Sequence, residues 1–584
     1  MSPLENNIQD AVNSVTEGFF SRLMKILIFI FVGFVLFGSY YIFQFRGLKY
    51  AESMELAQLA RNISIGRGYV TSCIRPVDIW YLSDMPSYAF QAQSCPDIRN
   101  PPFFPSIVSM AFKVVKPAFT LKPGSLSFEP ETKVIIPLCI LFTLMTGMFI
   151  YLVGVKLFGW RVAVVGVLVF FLSKSVLDES ISGLPSSLLM LLVSAVICAA
   201  LSFREAYEGN KPVRFMVLLF FIAAMLSAAI FLTSYKMSVF IPLLAFFMVS
   251  GFLRRSWHVA GAFLLVVLII ISPWLVRNLK VSGNIAGIAH YSALYETALY
   301  KNYSFDHECS PTMNNTKIAR ALKQKFMTTF PEMCETGLRT IGNGLIICLF
   351  LVSVFNKYER EEVNHLKWSL LVMLLLVAAA GAIFPAGNSN VFIPFLPLVI
   401  LYGVAFFFSI IDRDEFADPA WKITFAAVLV LLSALPLVFA FSSRRVASPY
   451  PPYYPPFISY VSNLLTHEET ICTDIPWATA WYGNRNSILL PATIDEFKKI
   501  NEGKARMAGL YLTTVTGDMP FNSTFVAGPM RSWLPVLNGN VPKDFPLMHG
   551  ITLPEGRNDQ LFLTDKDRWA RPSVGAGSAS GSSK

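Results

Sequence analysis

The chain has 584 residues, of which 54% are hydrophobic and only 15% are charged. Soluble domains carry roughly a quarter charged residues, so this composition excludes an ordinary soluble protein and points to a bilayer as solvent. The formal charge, 48 − 38 = +10, would suit nucleic acid, but basic residues flanking apolar runs are what membrane topology requires, and no nucleic-acid partner is expected.

About twenty polar and amphipathic residues precede the first apolar run, which is long enough to span a membrane and therefore reads as an anchor rather than a cleavable signal. In chain order the apolar runs are 24–45, 133–157, 160–177, 184–203, 215–233, 237–252, 259–276, 341–356, 368–384, 390–411 and 423–441. A span needs about 20 mostly apolar residues, so the expected fold is a polytopic α-helical membrane protein of about eleven spans. With residues 1–23 cytoplasmic, the inside loops hold Arg22 and Lys25, Lys156 and Arg161, and Arg204, Lys211 and Arg214. Further along they hold Arg254 and Arg255, then Lys357, Arg360 and Lys367, then Arg413 and Lys422. The opposite loops 178–183 and 385–389 carry no cation, and 234–236 has only Lys236. This asymmetry predicts a multi-pass inner (plasma) membrane protein with its C-terminus outside the cytoplasm.

Three outer segments, 46–132, 277–340 and 442–584, are too long to be connectors and are expected to carry function. The first holds amphipathic stretches near 50–66 and 103–119, suited to the membrane surface. The third opens with a Pro/Tyr-rich linker, Ser448–Pro456, and then alternates strand-like and helix-like pieces: Glu469–Thr473, Ser487–Leu490, Ile494–Ile500 and Met507–Thr514. That pattern predicts an extracytoplasmic α/β domain over 442–574, followed by a Gly/Ser-rich disordered tail, 575–584. Cys139, Cys198 and Cys348 fall inside spans. Cys73 and Cys95 share the first outer loop and Cys309 and Cys334 the second, so each pair is a candidate disulfide, with reduced thiols as the alternative and Cys472 left over.

Candidate chemistry lies just outside the spans, where hydrocarbon does not penalise charge. Glu52 follows the first span and continues the helical row Leu56, Leu59, Ala60, Ile63, so it faces the buried side. A carboxylate there is either a general base with a raised pKa or a helix-start acid beside the positive dipole end. Asp178 and Glu179 sit on a brief outer turn before Ser182, where they either orient an acceptor or divalent cation or keep the turn in water. Lys236 and Arg277 lie at outer span ends against the positive-inside bias. An anionic headgroup such as a lipid phosphate would explain them, as would snorkelling. There is no GxxxxGK[ST] loop, HExxH, CxxC or GxSxG, and only 6 histidines occur, which argues against triad or His-metal chemistry. Asn62, Asn302, Asn314 and Asn522 begin N-x-[ST] sequons on the outer side, which bear on function only in a eukaryotic host.

Taken together in order along the chain, several motifs resemble the polyprenyl-phosphate-sugar-dependent glycosyltransferases of the GT-C superfamily. The likeness is greatest to the family 39 branch of protein O-mannosyltransferases and lipid A aminoarabinose transferases. Glu52 stands at the family's first-loop Asp position, followed by Ala60-Arg61-Asn62 and Gly66-Arg67-Gly68-Tyr69. Arg99-Asn100-Pro101-Pro102 matches the signature before the amphipathic helix, and Leu232-Thr233-Ser234-Tyr235 a mid-chain outer turn. Pro273-Trp274, Arg277-Asn278 and Gly283 match a further motif, and Asp474 through Tyr482 resembles the soluble part of such enzymes.

The resemblance implies transfer of a sugar from a polyprenyl-phosphate donor to a glycan, lipid or protein acceptor, with the metal requirement open. It implies Glu52 as base, Asp178 or Glu179 as second acid, and Lys236, Arg277 and Arg99, with Tyr235 and Asn278, around the lipid phosphate. The chain departs from the pattern in carrying Glu for Asp at 52, Ser234 for an arginine, and no arginine in Asn388–Val391. Two readings compete with this enzyme. One is a non-catalytic scaffold binding polyprenyl lipid or a partner protein. The other is a transporter, against which stand the clustering of charge at outer span ends and the lack of an evident inverted repeat.

Overall fold

Long apolar runs satisfy their backbone groups in lipid only by coiling into helices, and the chain does so repeatedly. The computed structural model describes residues 19–83, 90–122, 124–250, 257–301, 304–311, 313–341, 344–384, 390–412, 419–442, 453–554 and 557–569. Outside the described residues lie Arg254, Arg255, Arg413, Asn388 and the sequon start Asn302. So do the side chains of Arg22 and Lys25, the linker through residue 452 and the Gly/Ser tail.

Among the described residues, seven helices are long and apolar enough to cross a membrane. They are Glu131–Phe158, Ser186–Glu208, Val213–Thr233, Trp257–Ser282, Glu361–Ile383, Ile393–Ile411 and Ala420–Phe441. Two bent pairs, Trp160–Phe171 with Lys174–Ser180 and Asn315–Thr340 with Gly344–Phe355, raise the number to 9. The expected eleven included two more runs. The run at 24–45 falls on helix Phe19–Gln44, described with its side chains only from residue 31. The run at 237–252 is a 3-10 turn, Tyr235–Val239, leading into the 10-residue helix Phe240–Val249, which is too short to span alone.

The helices are arranged around Ser186–Glu208, whose apolar window is 94% buried, whereas Trp257–Ser282 and Ala420–Phe441 are 22% buried and face outward. Small residues set the close approaches. A Cβ added at Gly154 would stand 2.9 Å from the Ala163 backbone, so helices Glu131–Phe158 and Trp160–Phe171 meet there at glycine distance.

A 6-stranded sheet forms the C-terminal part, in the order β1-β3-β2-β4-β6-β5. Its strands are β1 (Cys73–Ile74), β2 (Thr470–Thr473), β3 (Asn486–Leu489), β4 (Met507–Leu512), β5 (His549–Leu553) and β6 (Gln560–Thr564). Strands β1, β3, β2 and β4 are parallel, and β6 and β5 add an antiparallel edge. The strands and the helix expected between 469 and 514 are present, helix Ile494–Gly503 beginning with a capping box made by Thr493 and Glu496. The edge strand β1 comes from the segment 46–132, pairing Cys73 with Ser487 and Ile74 with Ile488.

Both faces of the sheet are covered, as parallel sheets require. Ile471, Tyr511 and Phe562 join a core continuous with the membrane helices, while Cys472, Leu510 and Leu563 face a second core. That second core includes Ile74, Ile288 and Phe305 from the segments 46–132 and 277–340. The C-terminal part is therefore built onto the loops that leave the membrane.

Candidate site at one end of the helices

Helix Ala51–Ser64 starts after Tyr50, which is extended at φ −106° and ψ 136°, and carries Glu52 in its first turn. Its row Leu56, Leu59 and Ala60 is buried, but so are Glu55, Gln58, Arg61 and Asn62 on the other faces, so the helix is enclosed by protein rather than lying along a membrane surface with one face out, and Ile63 is only half-buried. Glu52 comes within electrostatic range of both Lys236 and Glu179. One predicted base, one predicted acid and one predicted phosphate ligand, separated by long stretches of sequence, therefore share one region.

Asp178 and Glu179 occupy the last turn of helix Lys174–Ser180 rather than an open turn, because the chain bends by 60° at Leu172-Ser173 and resumes as helix. Successive helical residues project about 100° apart, so the two carboxylates diverge. Asp178 accepts from the Tyr40 hydroxyl and the Lys174 ammonium. Glu179 accepts from Ser186 and, at 3.5 Å, from Ser182. Gly183 follows at φ +71°, and a Cβ there would lie 2.5 Å from Leu48, so only glycine lets this turn close against the chain entering helix Ala51–Ser64. A cavity of about 300 Å³ opens on the Asp178 side, lined by Tyr40, Gln44, Lys49, Tyr50, Lys174, Asp178 and Ser182. Tyr50, in the wall of this cavity, lies within electrostatic range of both acids.

Lys236 lies in the 3-10 turn Tyr235–Val239. Its neighbour Tyr235 accepts from Trp274 Nε1 at 2.6 Å, and Asn278 Nδ2 approaches the same hydroxyl at 3.5 Å. Arg277 donates to the main-chain carbonyls of Asp97 (2.6 Å) and Tyr69 (3.4 Å), with its guanidinium 5.4 Å from the Tyr69 ring and 4.9 Å from that of Trp274. The Pro-Trp-x-x-Arg-Asn segment thus fastens the segment 46–132 to the end of span Trp257–Ser282.

Arg99 belongs to a different group. It ion-pairs with Asp78 at 2.7 Å and Asp306 at 3.0 Å and donates to the Tyr295 hydroxyl. Arg75 makes a two-pronged contact with Glu55, at 3.0 and 2.7 Å, and reaches Asp306 at 3.2 Å. Burial raises the Glu55 and Asp306 carboxyls, but the guanidiniums more than offset it and hold both below their ordinary values. For Asp78 burial wins over Arg99 and Arg75, and its carboxyl is raised. Asp97 is pushed up to about 6 by burial and then by the Glu55 charge. This network ties the segment 46–132 to the segment 277–340, and Arg99 is committed to it.

All eight cysteines are free thiols. Cys73 is a strand residue in β1, which accounts for its burial without a bridge, and Cys95 is also fully covered. Among the described residues no group of three or more His, Cys, Asp or Glu side chains converges in a way that could hold a metal ion.

Sequence reasoning passed over two features. One is the Glu55–Arg75–Asp306 network, whose members are 20 or more positions apart and carry no local signal. The other is Lys325, 4% exposed, whose ammonium donates to the carbonyls of Ala293 (3.0 Å), Tyr295 (2.6 Å) and Ile383 (2.8 Å). Its position one helical turn after Ala321, on the buried face of an otherwise polar helix, was the available clue.

No family model and no curated protein matches the sequence. By structure, the chain is similar to ArnT from Cupriavidus metallidurans bound to undecaprenyl phosphate. The TM-score is 0.53 at 11% identity, over 93% of this chain and 98% of that one. It is also similar to the oligosaccharyltransferase of Archaeoglobus fulgidus tethered to an acceptor peptide containing the NVT sequon. There the TM-score is 0.53 at 11% identity, over 85% of this chain and 69% of the other. Both neighbours have the GT-C fold, and the fold of this chain, membrane helices with a sheet built on the loops between them, is of that kind.

Proposed function

We propose that this chain is a membrane glycosyltransferase moving a sugar from a polyprenyl-phosphate carrier to an acceptor outside the cytoplasm, with inversion at the anomeric carbon. The observation that carries this reading is that Glu52, in the first turn of its helix, lies within electrostatic range of Glu179 and of Lys236, each at the end of a membrane helix. The GT-C-like fold supports it, and so do neighbours seen with undecaprenyl phosphate and with an acceptor peptide. In this reading residues 1–23 are cytoplasmic, and the α/β domain that follows residue 441 lies on the periplasmic side with the outer loops.

Glu52 takes the proton of the acceptor hydroxyl, whose oxygen forms the new bond to the anomeric carbon. The bond between that carbon and the phosphate oxygen breaks, and the lipid phosphate leaves with the electron pair. Lys236 stabilises the charge that accumulates there. Glu179, held by Ser186, stands as a second carboxyl within reach of Glu52, and Asp178 faces the neighbouring cavity with Tyr40 and Lys174, where an acceptor has hydroxyl and ammonium groups to meet. Trp274 and Asn278, through the Tyr235 hydroxyl, hold the turn that presents Lys236, Arg277 fastens the loop of Tyr69 and Asp97 beside it, and Arg99 serves the loop network.

The test is turnover of a panel of radiolabelled polyprenyl-phosphate sugars by the purified protein in nanodiscs, read as release of polyprenyl phosphate. At least one donor is expected to be consumed, with Lys236→Met slowing release by roughly 100-fold. Donor binding with no release from any sugar would favour a lipid-binding scaffold.

A further inference from the structure

The far end of the helix that begins with Glu52 is fastened to the C-terminal domain. Arg61 is 1% exposed, and its two terminal nitrogens donate to the carbonyls of Trp481 (3.0 Å) and Ala480 (2.7 Å), 420 and 419 positions away. Those carbonyls lie in the last turn of helix Pro476–Tyr482, the negative end of its dipole. The guanidinium also sits 5.6 Å from the Trp481 ring.

Trp481, 0% exposed, reaches the opposite way: its Nε1 donates at 2.7 Å to Glu131, the first residue of span Glu131–Phe158. Phe128 packs edge-on against the indole at 5.1 Å and Phe112 stacks at 6.5 Å. Ile475, Ala478, Trp481 and Tyr482 share one core with the membrane helices, so this domain is not a loosely tethered module.

We propose that Trp481 and Arg61 are positioning residues for Glu52, the C-terminal domain driving helix Pro476–Tyr482 between helix Ala51–Ser64 and the head of span Glu131–Phe158. The proposal rests on Glu52 being the proton acceptor. A fork bonded to two successive carbonyls fixes both translation and rotation of the helix it sits on, which a purely apolar contact does not. Glu52 and Arg61 stand nine residues apart, about 13.5 Å along a rigid helix, so a shift at the clamp is carried to the carboxylate. Misplacing a reacting group by about 1 Å can cost 100-fold in rate.

Trp481→Phe keeps the ring and removes the donor to Glu131, Arg61→Lys keeps the charge and removes the fork, and Trp533→Phe is the control. Trp533 donates to Pro491 O at 3.0 Å inside the same domain, away from the clamp. Hydrogen–deuterium exchange over 51–64 is measured beside kcat, donor KM and thermal midpoint. Trp481→Phe is expected to speed exchange there and lower kcat by roughly 10- to 100-fold with KM held within about 2-fold, with Arg61→Lys intermediate. Trp533→Phe is expected to lower the midpoint and leave kcat and that exchange unchanged. Unchanged exchange in both clamp variants overturns the link, whatever the turnover. Faster exchange with kcat unaltered overturns the positioning role while leaving Glu52 as base. Faster exchange with no turnover even in wild type upholds the mechanical link and overturns the reading of Glu52 instead.

Discussion

Replacing Arg99 with Met separates its two candidate roles. Its guanidinium lies 2.7 Å from Asp78 and 3.0 Å from Asp306, with side chains only 15%, 6% and 10% exposed. Two cations, Arg75 and Arg99, already face three acids, Glu55, Asp78 and Asp306. Removing one cation leaves buried carboxylates uncompensated, a change that costs about 3–5 kcal/mol.

The penalty depends on pH. Asp78 is already raised by burial, with Arg99 its largest offset, and in the variant its folded pKa rises further above the unfolded value. Stability from such a group is complete below the unfolded pKa, near 3.9, and is lost as pH rises through the folded value. The gap between variant and wild type should therefore be widest near pH 7.5 and narrow by pH 5. Thermal unfolding in detergent at both pH values reads the gap, and donor KM in the turnover assay should change by less than about threefold. A midpoint unmoved at either pH, together with a tenfold rise in KM, would refute the structural role and return Arg99 to the lipid phosphate.

Asp97, with its carboxyl pushed up to about 6, should make the wild type gain stability as pH falls from 7 toward 4. The gain is on the order of 3 kcal/mol, and Asp97→Asn should flatten that rise in urea or thermal titrations. Lys325→Met should leave the carbonyls of Ala293, Tyr295 and Ile383 without their ammonium and cost about 3 kcal/mol. Faster protease nicking between residues 293 and 311, with the membrane helices intact, is the expected signature.

The membrane architecture was legible because its signal is local: runs of apolar residues bounded by cations. The C-terminal strands β2, β3 and β4 were legible for the same reason, each a short β-prone run between turns. Strand β1 was not, since two residues carry no periodicity and its pairing with β3 depends on a segment more than 400 positions away. The bend at Leu172-Ser173 was hidden within a continuous apolar run, so Asp178 and Glu179 looked like a turn although they end a helix. Position beside span ends singled out Glu52, Glu179 and Lys236, of which only Glu52 stands in a family motif, and the fold puts Glu52 within electrostatic range of the other two. The ion pairs of Arg99 were not legible, because nothing in the sequence around Arg99 reveals Asp306. The links between loops and domain, Arg75 with Asp306 and Arg61 with Trp481, are tertiary throughout, and no reading of neighbouring residues contains them.

The most direct test of Glu52 as the base is turnover of a labelled polyprenyl-phosphate sugar by wild type beside Glu52→Gln, with donor binding measured on both. The isosteric amide keeps shape and hydrogen bonding but cannot take a proton at neutral pH. The account predicts donor bound with near wild-type affinity and release of polyprenyl phosphate lost by at least about 1,000-fold. Turnover that survives Glu52→Gln would contradict it and move the base elsewhere, to Glu179 or Asp178.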